Sequence, residues 1–240
     1  MNKISVIIPV YNEEKFLEKS IEKIITRIEK NKKFIPAYEI LLIENGSNDK
    51  SFQIGKRLEK RYQFIKTFHL NYASYGQAIK MGILKAKNKI IIIFNVDFWN
   101  INFLKKGLKL INGSDIIVGS KTLIPSKDQR PQYRRLTTYF FNFILKMVFN
   151  FPGTDTHGLK IMKKNKILPL ARKCVTCNEL FDTELILRAC KEKLILIEIP
   201  IDIKETRPSR YNNLKRFGNI IKDLYLIFRI KYLNGFYYHR

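Results

Sequence analysis

The first 120 residues alternate between short apolar runs and charged stretches, and this alternation constrains the fold more than any other feature. The β-branched runs are ISVIIPV, YEILLIEN, FIKTFHL, KIIIIFNV and DIIVGS, and the charged stretches have the apolar spacing of amphipathic helices. Strands that alternate with helices build a parallel sheet, because each helical crossover returns the chain to the same edge. The sequence therefore predicts an α/β fold with a Rossmann-like, mostly parallel sheet and flanking helices.

Polar segments follow three of these predicted strands, namely YNEE, ENGSND and NVDFW. In open sheets of this kind, ligands bind beyond the carboxyl ends of the strands. The fourth run is the most apolar of the chain, yet it ends in a lone carboxylate, Asp97, two residues after Asn95. We therefore expect the three polar segments to share one edge and to form a ligand site there.

The charge of the chain indicates an anionic partner. The 240 residues carry a formal net charge of +24, which suits a phosphate-rich small molecule, nucleic acid or an acidic membrane surface. A merely lysine-rich composition is the alternative. The sequence contains no RNP-like or helix-turn-helix signature, so we expect no nucleic-acid partner.

Three observations bear on location. The opening MNKISVIIPVYNEE has too short an apolar run for a cleavable signal, and no uncharged apolar run reaches the ~18 to 20 residues that cross a bilayer. Cys174 and Cys177 form one C-x-x-C pair, but neither a second pair nor a nearby histidine completes a zinc set with them or with Cys190. We expect reduced thiols on the cytosolic side of the membrane and no transmembrane helix.

The pattern changes after Ser120. The segment KTLIPSKDQRPQYRR predicts a mobile cationic loop over residues 121–133, followed by a helix near 134–150 whose wide apolar face leaves a narrow polar stripe of Thr138, Asn142, Lys146 and Asn150. A basic amphipathic segment, 204–240, follows a main domain of residues 1–203. We interpret both segments as helices lying in the plane of an anionic membrane. Packing against the sheet or in a homo-oligomer is the alternative.

Four segments resemble, in order and spacing, the family 2 glycosyltransferases: VIIPVYNEE, ENGSND, NYASYGQAIKMGILKA and NVD. The later segments VGSK, DTHGLK, FDTEL and RPSR are similar to the branch related to dolichyl-phosphate mannose synthase. The resemblance implies a GT-A fold and an inverting, metal-dependent hexosyltransferase. Such an enzyme moves a sugar from a GDP- or UDP-linked donor to a polyprenyl phosphate at the cytosolic membrane face.

Carried over residue by residue, the resemblance places the nucleotide-sugar at the strand ends, against Pro9, Tyr11, Glu13, Glu44, Asn95, Val96 and Asp97. Carboxylates at strand ends can accept hydrogen bonds from ribose hydroxyls or base amines. The family commonly has Asp where Glu44 and Asn45 stand, so the base preference stays open.

The resemblance also implies a metal site. Asp97 aligns with the second acid of the family's D-x-D motif, Asn95 replaces the first, and Trp99 stands where some relatives have a polar ligand. Asn95 and Asp97 would hold Mg²⁺ or Mn²⁺ together with the donor diphosphate. The alternative makes Asp97 a cap of the helix INFLKKGL.

The roles of the remaining candidate residues depend on whether the sugar acceptor is a phosphate or a hydroxyl. Lys121, Arg134 and Arg135 are candidate catalytic cations, and the acceptor phosphate would contact Arg134, Arg135, Arg207 and Arg210. A phosphate monoester is largely ionised near neutral pH and needs no strong general base. For a glycan or lipid hydroxyl, Asp182 or Glu184 becomes the candidate base. A third alternative is a non-catalytic phosphate- or nucleic-acid-binding relative.

Overall fold

The computed structural model describes residues 3–123 and 128–203, and positions 222, 225, 226, 228 and 229. The chain divides into two units. The sheet unit contains Met1–Asp128 and Gly153–Asp202, and the helix unit contains Gln129–Pro152 and Ile203–Arg240. Most of the predicted segment 204–240 lies outside the described residues, so the predicted division at residue 203 stays a prediction.

The sheet unit is built on seven strands within the described residues: β1 (Ile4–Val10), β2 (Tyr38–Asn45), β3 (Ile65–Leu70), β4 (Ile90–Ile93), β5 (Ile116–Ser120), β6 (Lys160–Lys163) and β7 (Leu196–Pro200). Their order is β3-β2-β1-β4-β6-β5-β7. β6 runs antiparallel to both of its neighbours, and the other pairs are parallel. The mostly parallel sheet predicted from the five apolar runs is confirmed, and β6 and β7 were not predicted.

The α-helices of the sheet and helix units are α1 (Leu17–Glu29), α2 (Ser51–Arg61), α3 (Tyr75–Lys85), α4 (Ile101–Leu110), α5 (Gln132–Phe149), α6 (Lys164–Lys173) and α7 (Leu180–Lys191). The first four follow the predicted alternation, and α6 and α7 were not predicted. α1 shows why these segments are helical. Its buried residues recur at three- and four-residue intervals, namely Leu17, Ile21, Ile24, Ile25 and Ile28, and they join one core cluster with Val6 and Ile8 of β1. The apolar spacing thus defines the face that packs on the sheet.

The strand register brings the polar strand ends to one edge. Val10, Glu44 and His69 stand opposite one another at the carboxyl ends of β1, β2 and β3. Ile7 of β1 pairs with Ile93, the last residue of β4. The segments YNEE, ENGSND and NVDFW therefore leave the sheet on the same side, as parallel strands require.

Hydrogen bonds hold the residues that directly follow β5. The Thr122 hydroxyl donates to the carbonyl of Thr154 over 2.6 Å, and the Leu123 N–H donates to the Ser120 hydroxyl over 3.2 Å. Residues 124–127 of the predicted cationic loop lie outside the described residues, so its mobility stays a prediction.

Two glycines allow a close approach beneath this segment. A Cβ added to Gly158 would lie 1.8 Å from the carbonyl oxygen of Gly119, a distance that no side chain can satisfy. Gly158 belongs to the segment DTHGLK and Gly119 to the segment VGSK, so the absence of a side chain at Gly158 is what lets these two motifs meet.

In the helix unit, α5 confirms the helix predicted near residues 134–150, and Asn150 ends it in the left-handed conformation with φ of 52°. Several large apolar side chains of α5 are exposed, namely Leu136, Tyr139, Phe140, Phe143 and Met147. Within the described residues, none of the helices has both the length and the apolar character that a membrane span requires.

Candidate functional site

The loops that follow β1 and β2 are joined by reciprocal hydrogen bonds. The Asn12 N–H donates to Ser47 Oγ over 2.9 Å, and the Asn48 N–H donates back to Asn12 Oδ1 over 2.9 Å. Asn12 adopts the left-handed conformation, with φ of 52°, to make this exchange. The Glu13 N–H donates to Ser51 Oγ over 2.7 Å. These hydrogen bonds hold the two loops together along one rim of the sheet edge.

The structure gathers at this rim the residues predicted to surround the base and ribose. Pro9 lies in β1, Tyr11 is half-buried just beyond it, and Glu13 and Glu44 are buried. Glu44 Oε1 accepts the Ser47 N–H over 2.5 Å. These placements agree with the predicted nucleotide pocket, whose contacts with a ligand stay a prediction.

His69 was missed by the sequence reasoning. It lies in β3 directly opposite Glu44, and its Nδ1 is in hydrogen-bond contact with Glu44 Oε2. Its ring lies 4.9 Å from that of Phe52 in α2, and its side chain is 40% exposed. The signal was a histidine near the end of an apolar strand, but its register with Glu44 is decided by strand pairing.

Asn45 and Gly46 have structural tasks at the next position of β2. The Asn45 side-chain oxygen accepts the Ser74 N–H at the start of α3. Gly46 has φ of +64°, and an added Cβ would lie 2.5 Å from the carbonyl carbon of Tyr72. These two residues therefore position the loop between β3 and α3.

A tight turn carries the candidate metal ligands after β4. The Asn95 N–H donates to the Phe98 carbonyl over 3.0 Å, and the Phe98 N–H donates back over 3.3 Å. Val96 is buried, and its carbonyl accepts from the Ser20 hydroxyl of α1. Asp97 is exposed at the tip of this turn.

The cap of α4 is Asn100. Its Oδ1 accepts the Phe103 N–H over 2.9 Å, so the alternative that made Asp97 the cap of this helix is wrong. Trp99 packs against the core cluster. Asp97 therefore does not cap α4.

Asn95 and Asp97 fit a divalent cation that shares its ligands with a diphosphate. They offer one amide oxygen and one carboxylate from a single turn. Across residues 3–123 and 128–203, no group of three or more His, Cys, Asp and Glu side chains is placed to hold a metal ion. Mg²⁺ in nucleotide sites characteristically takes one or two carboxylates and fills its shell with phosphate oxygens and water. The binding of an ion here stays a prediction.

Lys121 forms a buried ion pair. Its Nζ lies 2.6 Å from Asp155 Oδ2, and the two side chains are 10% and 2% exposed. Burial alone would raise the pKa of Asp155, but the Lys121 ammonium and the His157 N–H hold that pKa below its ordinary value. The positive charge of Lys121 is therefore balanced by the Asp155 carboxylate. Its role as a catalytic cation stays a prediction.

Asp182 is enclosed by a second buried pair. Lys160 Nζ lies 3.0 Å from Asp182 Oδ2 and donates to the Gly158 carbonyl over 2.9 Å, and the two side chains are 1% and 2% exposed. The Tyr75 hydroxyl donates to the same Oδ2 over 3.1 Å. Burial and the Asp182 carboxylate raise the pKa of Tyr75 well above its usual range. The other oxygen, Oδ1, is buried and has no hydrogen-bond partner among the described residues. A role of Asp182 as a general base stays a prediction.

Glu184 is also committed to structure. Its Oε2 accepts the Thr176 N–H over 2.8 Å and the Thr176 hydroxyl over 2.6 Å, and Arg188 lies 2.7 Å from Oε1. The Val175 N–H donates to the same carboxylate. Glu184 thus connects α7 to the preceding loop, whereas Asp182 connects α7 to β6 and α3.

The candidate phosphate-binding arginines lie in the other unit or outside the described residues. Arg134 and Arg135 occupy the first turns of α5 and are half-buried. Arg207 and Arg210 lie outside the described residues. Their roles toward an acceptor phosphate stay predictions.

The three cysteines are free thiols in the structure. Burial raises the pKa of Cys174 to about 12 and that of Cys190 to about 11. Both thiols are therefore protonated near neutral pH, which makes them poor nucleophiles and poor metal ligands.

Together, the mostly parallel sheet and the polar segments that share the edge at its carboxyl ends define an α/β protein. The profile described as "Glycosyl transferase family 2" matches residues 5–184. The chain belongs to glycosyl transferase family 2, which confirms the resemblance seen in the sequence.

Named relatives and solved structures agree with this membership. The chain is 27% identical over 248 residues to the dolichyl-phosphate beta-glucosyltransferase of Homo sapiens, covering 97% of this chain and 76% of the relative. It is 24% identical to the Saccharomyces cerevisiae protein of that name, covering 98% and 76%. Glucosyl-3-phosphoglycerate synthase from Mycobacterium tuberculosis, solved with Mn²⁺ and uridine diphosphate, matches with a TM-score of 0.67 at 14% identity, covering 95% and 79%. That likeness confirms the GT-A-type fold.

Proposed function

We propose that the protein is an inverting, metal-dependent glycosyltransferase that moves a sugar from a nucleotide-sugar to a polyprenyl phosphate. Family membership and relatives named dolichyl-phosphate beta-glucosyltransferase over nearly the whole chain support this proposal. The single observation that carries the choice of acceptor is the environment of Asp182 and Glu184. Both carboxylates are buried. Asp182 Oδ2 is held by Lys160 and Tyr75, whereas its Oδ1 has no hydrogen-bond partner among the described residues. Glu184 accepts hydrogen bonds from the chain at both oxygens.

A hydroxyl acceptor must lose a proton to a nearby general base as it attacks. Asp182 Oδ2 is engaged by Lys160 and Tyr75, and Glu184 accepts hydrogen bonds from four groups of the chain. A phosphate monoester carries its negative charge before it binds, since its second pKa is ~6. An acceptor of that kind needs alignment and charge from the enzyme instead of a base.

The donor side uses the gathered strand ends. Glu13 and Glu44 bind the base and ribose, and Asn95 and Asp97 hold Mg²⁺ or Mn²⁺ against the diphosphate. When bound, the cation supplies positive charge that offsets the negative charge of the departing nucleoside diphosphate. The chain positions the anomeric carbon for attack from the opposite side, which inverts its configuration.

Glucose from UDP-glucose is the sugar and donor that we favour. The branch suggested by the sequence is a mannose synthase, but the relatives are named as glucosyltransferases. The solved structure with Mn²⁺ contains uridine diphosphate. Glu44 and Asn45 stand where the family commonly has Asp, so the base preference is open. GDP-mannose is the competing donor.

The helix unit is suited to bring the enzyme to its lipid. Leu136, Phe140, Phe143 and Met147 of α5 are 68%, 56%, 60% and 70% exposed. They recur at intervals of four, three and four residues, so they form one stripe along the helix. Tyr225 and Phe228, which belong to the basic segment 204–240, are exposed as well. Because a polyprenyl chain is held in the bilayer by ~0.8 kcal/mol per methylene, we propose that α5 lies on the cytosolic membrane surface.

A donor and acceptor panel tests the function. Purified protein is incubated with Mn²⁺ and with UDP-glucose or GDP-mannose, and each donor is offered a polyprenyl phosphate or a free glycan. We expect sugar transfer to the polyprenyl phosphate, with UDP-glucose preferred. Transfer to the glycan alone would support the hydroxyl-acceptor alternative, and no turnover with any donor would support a non-catalytic protein.

Liposome flotation tests the membrane proposal separately. We expect the protein to float with acidic liposomes and the variant Phe140→Ser/Phe143→Ser to float less. A matched control, Thr137→Ser, changes a polar residue of the same helix. Equal flotation of all three proteins would refute a role for the α5 stripe.

A further inference from the structure

The pair formed by Glu44 and His69 has a geometry that the proposed reaction alone does not explain. Glu44 is 1% exposed, and each of its two carboxylate oxygens meets one donor group of the chain. The backbone N–H of Ser47 donates a hydrogen bond to Oε1. The second oxygen, Oε2, contacts His69 Nδ1, and within the described residues His69 is the one side-chain partner of this carboxylate.

The direction of this hydrogen bond follows from the chemistry of the two groups. An ionised carboxylate only accepts hydrogen bonds, so His69 Nδ1 carries the hydrogen. The imidazole is itself held in place, because it stands opposite Glu44 across the β2–β3 register and its ring lies 4.9 Å from that of Phe52. His69 therefore contacts both the Phe52 ring of α2 and the buried carboxylate of Glu44.

We propose that His69 is a specificity-determining positioning residue of the nucleotide pocket, an inference that rests on the proposed function. By holding Oε2, it leaves the carboxylate of Glu44 turned so that a remaining lone pair can accept a ring N–H from the bound base. The ligand class is a nucleoside diphosphate whose base carries an imide N–H, namely uracil or guanine.

The same geometry rejects the other bases. Cytosine and adenine carry an unprotonated ring nitrogen where uracil and guanine carry the N–H. That nitrogen is an acceptor, and a carboxylate facing it leaves two buried acceptors without a shared hydrogen. Discrimination then depends on how firmly the carboxylate is oriented, and this is the task that the structure gives to His69.

Two substitutions separate hydrogen bonding from packing. His69→Asn keeps an N–H near the position of Nδ1 but removes much of the ring, whereas His69→Leu keeps apolar volume beside Phe52 but removes the donor. Binding of UDP, GDP and CDP to the full-length protein is measured by calorimetry for the wild type and both variants. Lys66→Ala, on the exposed face of the same strand, is the control.

We expect the wild type to prefer UDP or GDP over CDP, and His69→Leu to bind the preferred nucleotide about tenfold or more weakly, as loss of a hydrogen bond to a charged group implies. His69→Asn should stay within about threefold of the wild type, and CDP binding should be nearly unchanged throughout. In His69→Leu, the KM for the donor should rise, and kcat should change little.

The opposite ranking, with His69→Leu binding better than His69→Asn, would show that packing on Phe52 is what matters and would overturn the inference. Equal affinities in the two variants would overturn it as well. A wild type that binds UDP and GDP while the variants do not differ refutes only the role of His69. A wild type that binds none of the three nucleotides refutes the proposed function, and this inference with it.

Discussion

The buried pair of Lys160 and Asp182 makes the sharpest prediction about stability and mechanism together. Lys160→Met keeps most of the apolar stem and removes the ammonium, which lies 3.0 Å from Asp182 Oδ2 and 2.9 Å from the Gly158 carbonyl. The substitution leaves a carboxylate that is 2% exposed without its counter-charge. Asp182→Asn performs the converse change at nearly constant shape, and the double variant removes both charges.

The size of the effect follows from the environment. Breaking a buried ion pair by removing one partner costs about 3 to 5 kcal/mol of unfolding free energy. The Tyr75 hydroxyl still donates to Asp182 over 3.1 Å in Lys160→Met, so we expect the lower end, about 3 kcal/mol. Replacing both charges should cost less than the sum of the single changes, with a coupling of about 2 kcal/mol.

Urea unfolding followed by the fluorescence of Trp99, the single tryptophan of the chain, measures all four proteins. A loss below about 1 kcal/mol in Lys160→Met, or a coupling near zero, would contradict this account of the pair. Activity provides an independent check. If Asp182→Asn folds but transfers no sugar to polyprenyl phosphate, Asp182 acts as a base after all, and the argument for a phosphate acceptor fails.

Three further predictions concern the site and the fold. Asp97→Ala should abolish metal-dependent turnover without changing the circular dichroism spectrum, whereas Asn95→Asp should retain turnover and tighten Mn²⁺ binding; retained activity in the former would refute a ligand role. Gly158→Ala should lower the unfolding midpoint clearly in a thermal melt, because its Cβ would lie 1.8 Å from a carbonyl oxygen; an unchanged midpoint would contradict that contact. The lowered pKa of Asp155 contributes stability that is present above its unfolded value near 4 and is lost as pH falls toward the folded pKa. Lys121→Met should weaken that contribution, so its stability should depend less on pH in acid-titrated urea melts than the wild type's does.

Local sequence patterns predict the first five strands, several helices and the polar edge of the sheet. Apolar runs and helical spacing are local patterns, so β1 to β5 and α5 could be predicted from short windows. The carboxyl ends of parallel strands meet at one edge whatever the details of packing, so Glu44, Asn95 and Asp97 could be assigned to one site. The motifs in register indicated the family for the same reason, because their spacing follows the alternation of strand and helix.

Which charged side chains face one another depends on the packing of the whole fold. The insertion of β6 as an antiparallel strand between β4 and β5 brings Lys160 to Asp182, and no local pattern announces it. Lys121 meets Asp155 across 34 positions of sequence, and Glu44 meets His69 across 25. Such pairs depend on strand order and register, which are set by the packing of the whole sheet. Lys121 and Asp182, which the sequence analysis named as candidate catalytic residues, each lie in such a buried ion pair. No local pattern could predict these pairs.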